Sequence, residues 1–267
     1  MLLLNHVKLI ERLTEIGSRM PKFNYLSPAL QSEDAALMQS ASLSGIEAKI
    51  HVDLWNAIID RKLKPGVKLE ELVMCDIYGI SRTVMRKVLM IMEQDGLVFL
   101  PPNKGAYVAS PSLQSAFEML EMSEALQTFV VQKIATNHAS IAASQFDRIA
   151  QHAKAEEKAE AAHDFRLLRR FDIEFGSLLC LVHGNGTLAR EWERNASCLA
   201  LALSLHQSVQ PAGRQSDYSR QILARLTDGD AAGALVLVRE RIGQLKASLD
   251  TQSDGENVNL REILGLN

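Results

Sequence analysis

The chain is predicted to be mainly α-helical, with one short β-hairpin in its first half. Three observations lead there. Aromatic residues make up only 5% of the 267 residues against 47% hydrophobic residues, and a composition rich in Ala and Leu favours helices over a β-sandwich. From residue 111 to residue 250 the apolar residues recur at helical spacing, with no alternating pattern to compete. Ahead of that, residues 46–108 read as helix, helix, helix, hairpin.

Composition also bounds function. A net charge of −3 rules out a generic polycation, so any nucleic-acid contact must come from a local patch. Cys75, Cys180 and Cys198 are odd in number and far apart, which suggests neither a disulfide framework nor a metal-binding pair and fits a reducing cytoplasm. The opening "MLLLNHVKLIERL" has no charged stretch before its apolar run and no small-residue cleavage site, so it does not read as a signal peptide. No charge-free run reaches the roughly 18 apolar residues of a membrane span.

Taken in order, residues 1–43 form an N-terminal extension with one amphipathic helix over residues 7–16, where Leu9, Ile10, Leu13 and Ile16 share a face. The extension reads as a partly ordered tail or as a segment that packs on a partner subunit. Ile46, Ile50, Leu54 and Ile58 mark the face of the next helix, with Trp55 and Ile59 beside it, and Pro65–Gly66 turn the chain after it. "LEELVMCDIY" is a second, short helix stopped by Gly79. Ser81 caps a third, whose buried stripe is Val84, Val88 and Ile91 with Met85, Leu89 and Met92. Positions 82, 83, 86 and 87 fall on the opposite face. Gly96 ends this helix, and "LVFL" and "AYV" are two strands joined by the breaker-rich turn "PPNKG". Six helices then follow, over residues 113–139, 144–162, 164–182, 187–209, 217–227 and 230–249, before a polar tail, 251–267, that frays.

The third helix opens on Arg82, Thr83, Arg86 and Lys87, although a helix N-terminus favours acids. A polyanion outside the protein would supply the missing charge. Three helices followed by a hairpin is the outline of a winged helix-turn-helix, whose reading helix enters the major groove by its N-terminal residues. Arg82 and Arg86 lie one turn apart on one face, and a guanidinium can donate two parallel bonds to guanine O6 and N7. Thr83 is short enough to meet a base edge or a thymine methyl, Ser81 and the helix N-terminus suit a phosphate, and Lys87 suits the DNA backbone. Lys104 and Gly105, at the hairpin tip, suit minor-groove or phosphate contact. Taken alone, the string Arg-Thr-x-x-Arg-Lys is only a solvated helix face. The capping Ser, the short preceding helix and the basic hairpin tip favour the DNA reading.

Residues 63–108, "LKPGVKLEELVMCDIYGISRTVMRKVLMIMEQDGLVFLPPNKGAYV", closely resemble the DNA-binding domain of GntR-type bacterial regulators, with their L-x-P-G-x-x-L-x-E, G-V-S-R-T-x-V-R-E-A-L, E-G-L-V and R-G-A-x-V motifs. The likeness implies DNA-contacting positions at Ser81, Arg82, Thr83, Arg86 and Gly105. Lys87 stands where Glu is common, Lys104 where Arg is common, and Met85 where Val is usual, which keeps or raises the positive charge. More loosely, residues 164–188 and 217–242 resemble the helical effector-binding and dimerising domain, called FCD, of the FadR-type branch.

Many such domains hold a divalent metal through one Asp and three His. On this chain those positions are Asp172, Gly176, Ser219 and Arg241, and Ser123 stands where the branch often has an Arg. Gly has no ligating side chain, Ser is a poor ligand for such metals, and Arg is a fixed cation. No metal and no cofactor are therefore expected. Arg241 is expected either to pair with Asp172 or to anchor an anionic effector. His183, Asn185 and Trp192 are further candidates to line that pocket. The seven His residues are read as surface or supporting groups rather than ligands, Met85, Met90 and Met92 as core filling, and Glu156 with Glu157 as part of a solvated charged helix.

Enzyme motifs are missing from the sequence: no phosphate-binding loop, no G-x-S-x-G, no G-x-G-x-x-G after a strand and no H-E-x-x-H. The expected fold is a winged helix-turn-helix at 44–110 followed by an all-α, FCD-like bundle at 111–250. The expected protein is a cytoplasmic transcription regulator, in the repressor sense, that binds a pseudo-palindromic double-stranded DNA operator as a homodimer. A small anionic metabolite in the pocket of Ser123, Asp172, Gly176, Ser219 and Arg241 would modulate it. The alternative is a helical interaction module whose winged helix contacts protein rather than DNA.

Overall fold

The structure is a computed structural model that describes residues 25–30, 43, 45–207 and 215–250. The helix expected at 7–16 and the tail at 251–267 lie outside the described residues.

Helix α1 (Ile46–Ile59) buries Ile50, Leu54, Trp55, Ile58 and Ile59. Ile46, expected on the same face, is 41% exposed because it sits at the helix start, before the packed face begins. Strand β1 (Lys68–Leu69) precedes α2 (Glu71–Tyr78), which closes on Gly79 in the left-handed conformation. Helix α3 (Arg82–Gln94) follows at once, with Ser81 as its N-cap. Strands β2 (Val98–Phe99) and β3 (Ala106–Val108) complete a three-stranded antiparallel sheet in which β3 is central. Its register pairs Lys68 with Tyr107 on one side and Val98 with Val108 on the other. The sequence reading gave a two-stranded hairpin and missed β1. Two residues between a Pro–Gly turn and a helix carry no alternation to detect, and only the partner strand defines them as a strand.

Met85, Val88, Leu89 and Met92 of α3 are fully buried and face α1 and the sheet. Val84 and Ile91, expected in that stripe, are only half-buried at its margins. Met90 is not core filling: it is 57% exposed, on the side of α3 turned away from the stripe.

The helical remainder comprises α4 (Leu113–Thr136), a 3₁₀ turn (His138–Ser140), α5 (Ala143–Ala161), α6 (Phe165–Val182), α7 (Gly186–His206), α8 (Gln215–Thr227) and α9 (Ala231–Ala247). Helix α4 packs against α9 and α7, α6 lies between α5 and α7, and α8 closes against α5 and α9. Side-chain caps begin most of these helices as the sequence requires. Ser112, Asp164, Asn185 and Asp230 each accept a bond from a backbone N–H of the first turn.

Gly176 has a packing role. The Trp192 indole lies against its Cα, and a Cβ built there would overlap the ring. Trp192 Nε1 donates to the Ile173 carbonyl at 2.7 Å. A helical Gly→Ala change ordinarily stabilises by about 1 kcal/mol. Here it must displace a buried indole, so Gly176→Ala should instead destabilise by about 1–3 kcal/mol, read as a lower melting temperature.

The N-terminal head, residues 46–108, sits on the bundle through polar contacts. Trp55 Nε1 donates to Ser197 Oγ at 3.1 Å, and the Arg170 guanidinium stacks over the Trp55 ring at 4.4 Å. Arg170 also donates to Asn56 Oδ1 at 2.6 Å, and Cys198 to the Asp95 carbonyl at 3.0 Å. Burial pushes the Glu193 carboxyl up to about 8, with the Glu174 charge adding and Arg170 opposing. An unfolded-chain Glu titrates near ~4.3. The folded protein thus keeps a proton that the unfolded chain releases. Stability from this group is complete below about pH 4 and is lost as pH rises through about 8. Thermal melts of Glu193→Gln should therefore show a shallower decline between about pH 5 and 8 than the parent protein, by up to about 1 kcal/mol per pH unit.

Candidate nucleic-acid interface

Six of the seven residues expected at DNA, namely Arg82, Thr83, Arg86, Lys87, Lys104 and Gly105, line one open groove of about 920 Å³. The groove runs between the exposed face of α3 and the turn joining β2 to β3. Ser81 lies at its edge as the α3 cap, its Oγ accepting from the Val84 N–H at 3.4 Å. The first turn of α3 holds no acid, so its N-terminal field is left to the cations and to whatever binds there. Gly105 has φ +85, a conformation that excludes a side chain in practice, and it brings the hairpin backbone to the groove surface.

How the cations are held is not legible in the sequence. Arg86 donates through Nε to Glu71 Oε2 at 3.2 Å, a bond that leaves its two Nη groups outside it. Lys87 donates to Glu47 Oε2 at 2.7 Å, across to α1. Lys68, also in the groove wall, pairs with Glu70 at 3.0 Å. Among the described residues, Arg82 and Lys104 make no ion pair. Glu47 and Glu71 are the functional residues that sequence reasoning missed. Glu71 lines the groove from α2 and Glu47 reaches Lys87 from α1, and only the fold brings them there.

The five expected pocket positions fare differently. Arg241 Nη2 lies 3.8 Å from Asp172 Oδ1, so these two come together. Ser219 is fully buried, and its Oγ has no hydrogen-bond partner among the described residues. Ser123 is buried too, but Asn195 donates to its Oγ at 2.8 Å. Gly176 faces the Trp192 indole and offers a ligand no surface there, while Trp192 is itself buried. Burial pushes the Asp172 carboxyl above its ordinary range, with the Arg241 charge opposing and Glu156 adding. Yet 47% of the Asp172 side-chain surface is uncovered by protein.

Glu156 corrects the sequence reading: it is fully buried, not solvated. It belongs to the inward stripe of α5, with Ile149, His152, Ala153 and Ala159. That 3–4 spacing is visible in the sequence but is masked by the neighbouring charges. His152, read as a surface or supporting group, is also fully buried. It packs against Phe171 and Phe175, with Nε2 3.2 Å from Glu156 Oε1. The positions Asp172, Gly176, Ser219 and Arg241 do not suit a divalent metal. They supply one carboxylate, and a guanidinium stands beside it where a cation would be repelled.

Comparison with known proteins agrees with this geometry. The profile described as "Bacterial regulatory proteins, gntR family" matches residues 47–108. An HTH-type transcriptional regulator in an unstable DNA locus of Streptomyces ambofaciens is 23% identical over 199 residues, covering 72% of this chain and 80% of that protein. Another, from the TAR-I ttuE-ttuC' intergenic region of Agrobacterium vitis, is 27% identical over 104 residues, covering 39% of this chain and 61% of its own length. Among solved structures, a GntR transcriptional regulator from Rhodococcus sp. RHA1 superposes with a TM-score of 0.66 at 20% identity, covering 83% of this chain and 98% of that one. E. coli McbR/YncC superposes with a TM-score of 0.65 at 17% identity, covering 77% and 97%. These two share the fold. No helix among the described residues is long and apolar enough to cross a membrane. Residues 47–108 are thus a domain of the kind found in gntR-family bacterial regulatory proteins, with a cationic groove in place.

Proposed function

We propose that the chain is a ligand-responsive repressor of the FadR-type branch, with a DNA-reading domain at 44–110 and an FCD-like effector domain at 111–250. It acts in the cytoplasm as a homodimer on a pseudo-palindromic operator. The observation that carries the DNA contact is the convergence of six expected residues on one groove. Arg82 and Arg86 read base edges, Thr83 packs beside them, and Ser81, Lys87, Lys104 and Gly105 meet the phosphate backbone. The dimer is supported by exposed Met122 and Phe129, two turns apart on α4, and by exposed Val236 on the adjoining α9. A second copy would cover these side chains.

A small anion approaching Asp172, Ser219 and Arg241 would take the Arg241 guanidinium as its partner. Helices α6 and α9, which carry Asp172 and Arg241, would move with it, and α6 also carries Arg170 under the head. The ligand acts only so far as it prefers one pose of the head over another.

DNA selection with purified protein, followed by titration of the enriched site, tests the groove. Arg82→Ala should cost about 1–3 kcal/mol of discrimination between the selected and scrambled sites. Lys87→Ala, whose amine already has Glu47, should cost about 0.5 kcal/mol or less and lower the salt slope by less than about 1. Equal losses for the two variants would contradict the assignment. For the effector, the operator titration is repeated with a panel of small carboxylic and phosphorylated acids. Arg241→Glu should abolish the response of any acid that shifts affinity, while leaving affinity without it in place.

A further inference from the structure

Residues 25–30, in the extension ahead of the head, dock on this chain's own bundle rather than fray or wait for a partner. The Leu26 and Ser27 amides donate to the two carboxylate oxygens of Glu174, at 3.0 and 2.7 Å. Ser27 Oγ bonds to His152 Nδ1 at 2.8 Å and accepts from the Ala29 amide at 3.2 Å. Arg148 Nε donates to the Ala29 carbonyl at 2.9 Å. Ser27, Ala29 and Leu30 are 2%, 1% and 8% exposed, so the segment is seated and not merely adjacent. Arg148 and His152 lie one turn apart on α5, and Glu174 faces them from α6. Together they form a built cradle for one short stretch of backbone plus one hydroxyl.

The cradle touches two other parts of the molecule. His152 meets Ser27 with one ring nitrogen and approaches Glu156 with the other, so it joins the segment to the buried polar cluster. Glu174 lies one turn from Arg170, whose guanidinium stacks on Trp55 and bonds Asn56 of the head, and the two charges attract. The docked segment gives Glu174 two charge-assisted donors. Without them a buried carboxylate keeps its charge only by turning toward Arg170, which would draw the guanidinium from its seat on Trp55 and Asn56.

We propose that residues 26–30 are an intramolecular strap whose docking on Arg148, His152 and Glu174 fixes the seat of the DNA-reading head, so that strap release weakens operator binding. This rests on the DNA-binding reading for its last step only. A head held in one pose loses less freedom on binding than one that samples several.

The test uses the full-length protein and two variants. Ser27→Leu removes the hydroxyl that bonds His152 and overfills its buried seat, and Arg148→Ala removes the anchor of the Ala29 carbonyl. Ser27→Thr, which keeps the hydroxyl, is the control. Hydrogen exchange without DNA should show slow Leu26 and Ser27 amides in the parent protein and in Ser27→Thr. In the two release variants, exchange should be at least tenfold faster there and faster also at Trp55–Asn56, with bundle helicity unchanged by circular dichroism. Operator affinity should fall fivefold or more in both release variants. Fast strap amides in the parent protein would overturn the proposal. So would a released strap that leaves exchange at Trp55–Asn56 unchanged, or operator affinity within twofold of the parent. If the parent protein selects no operator at all, the groove assignment fails while the DNA-free exchange still decides whether the strap seats the head.

Discussion

The apolar underside of α3 is the constraint on which the rest depends. Met85, Val88, Leu89 and Met92 are fully buried, and each such side chain contributes about 1.5–3 kcal/mol by leaving water. Turning the helix by one residue, about 100°, would expose part of that stripe and drive Arg86 or Lys87 toward the core. A buried, unpaired guanidinium costs several kcal/mol. Both effects have the same sign, so the helix has one stable orientation. That orientation presents positions 82, 83, 86 and 87 outward and sets them opposite the β2–β3 turn. The groove is therefore a consequence of packing, and the cations need no folding energy of their own to be presented.

The bundle obeys a looser rule. Its helices pack through apolar stripes, but their centre keeps His152, Glu156, Asp172, Ser219 and Arg241, of which only some find partners. Apolar residues of similar size would pack there at no loss of stability. Burial has raised the Asp172 carboxyl, and it raises the Tyr218 hydroxyl beside Ser219 for the same reason. Ser219 Oγ and Arg241 Nε are left without a hydrogen-bond partner among the described residues, an exception to the usual pairing of buried polar groups. The charge balance has also moved from the sequence reading. Glu156 adds a second carboxylate whose charge acts on Asp172, beside the Asp172–Arg241 pair.

What the sequence made legible was whatever a single helix or turn decides. The end of α2 at Gly79, the limits of α3, the Ser81 cap, the outward cations and the six later helices all follow from periodicity, caps and breakers within a few residues, whereas α2 begins at Glu71, two residues later than its sequence suggests, because Leu69 belongs to β1. What it hid depends on contacts between distant segments. Strand β1 exists only because β3 lies beside it. Glu156 looks solvated among Lys and Glu neighbours, yet α5 turns it inward with His152. Met90 belongs to an apolar-looking run, but the stripe is already filled by Met85, Val88, Leu89 and Met92. The seating of Ser27 spans more than a hundred residues to His152 and Glu174 and has no local signal. Gly176 was legible as a lost ligand position but not as the bed of Trp192.

The acids behind the groove explain how a chain of net charge −3 can read DNA. Binding strength without selectivity needs only many phosphate contacts, and it grows with the number of unpaired cations. Selectivity needs a donor held at a defined angle to a base edge. Glu71 takes the Nε of Arg86, a bond that restricts the guanidinium and leaves its two Nη groups outside it. Glu47 takes the charge of Lys87 and removes much of its pull on phosphates at large. Arg82, with no acid beside it, keeps its full charge at the helix start, where the helix field itself opposes a cation. That mismatch is relieved only by an outside anion, so the same residue that strains the free protein favours the complex. The arrangement thus pairs Lys87 with one acid, ties Arg86 to another through its Nε, and leaves Arg82 without an ion pair among the described residues.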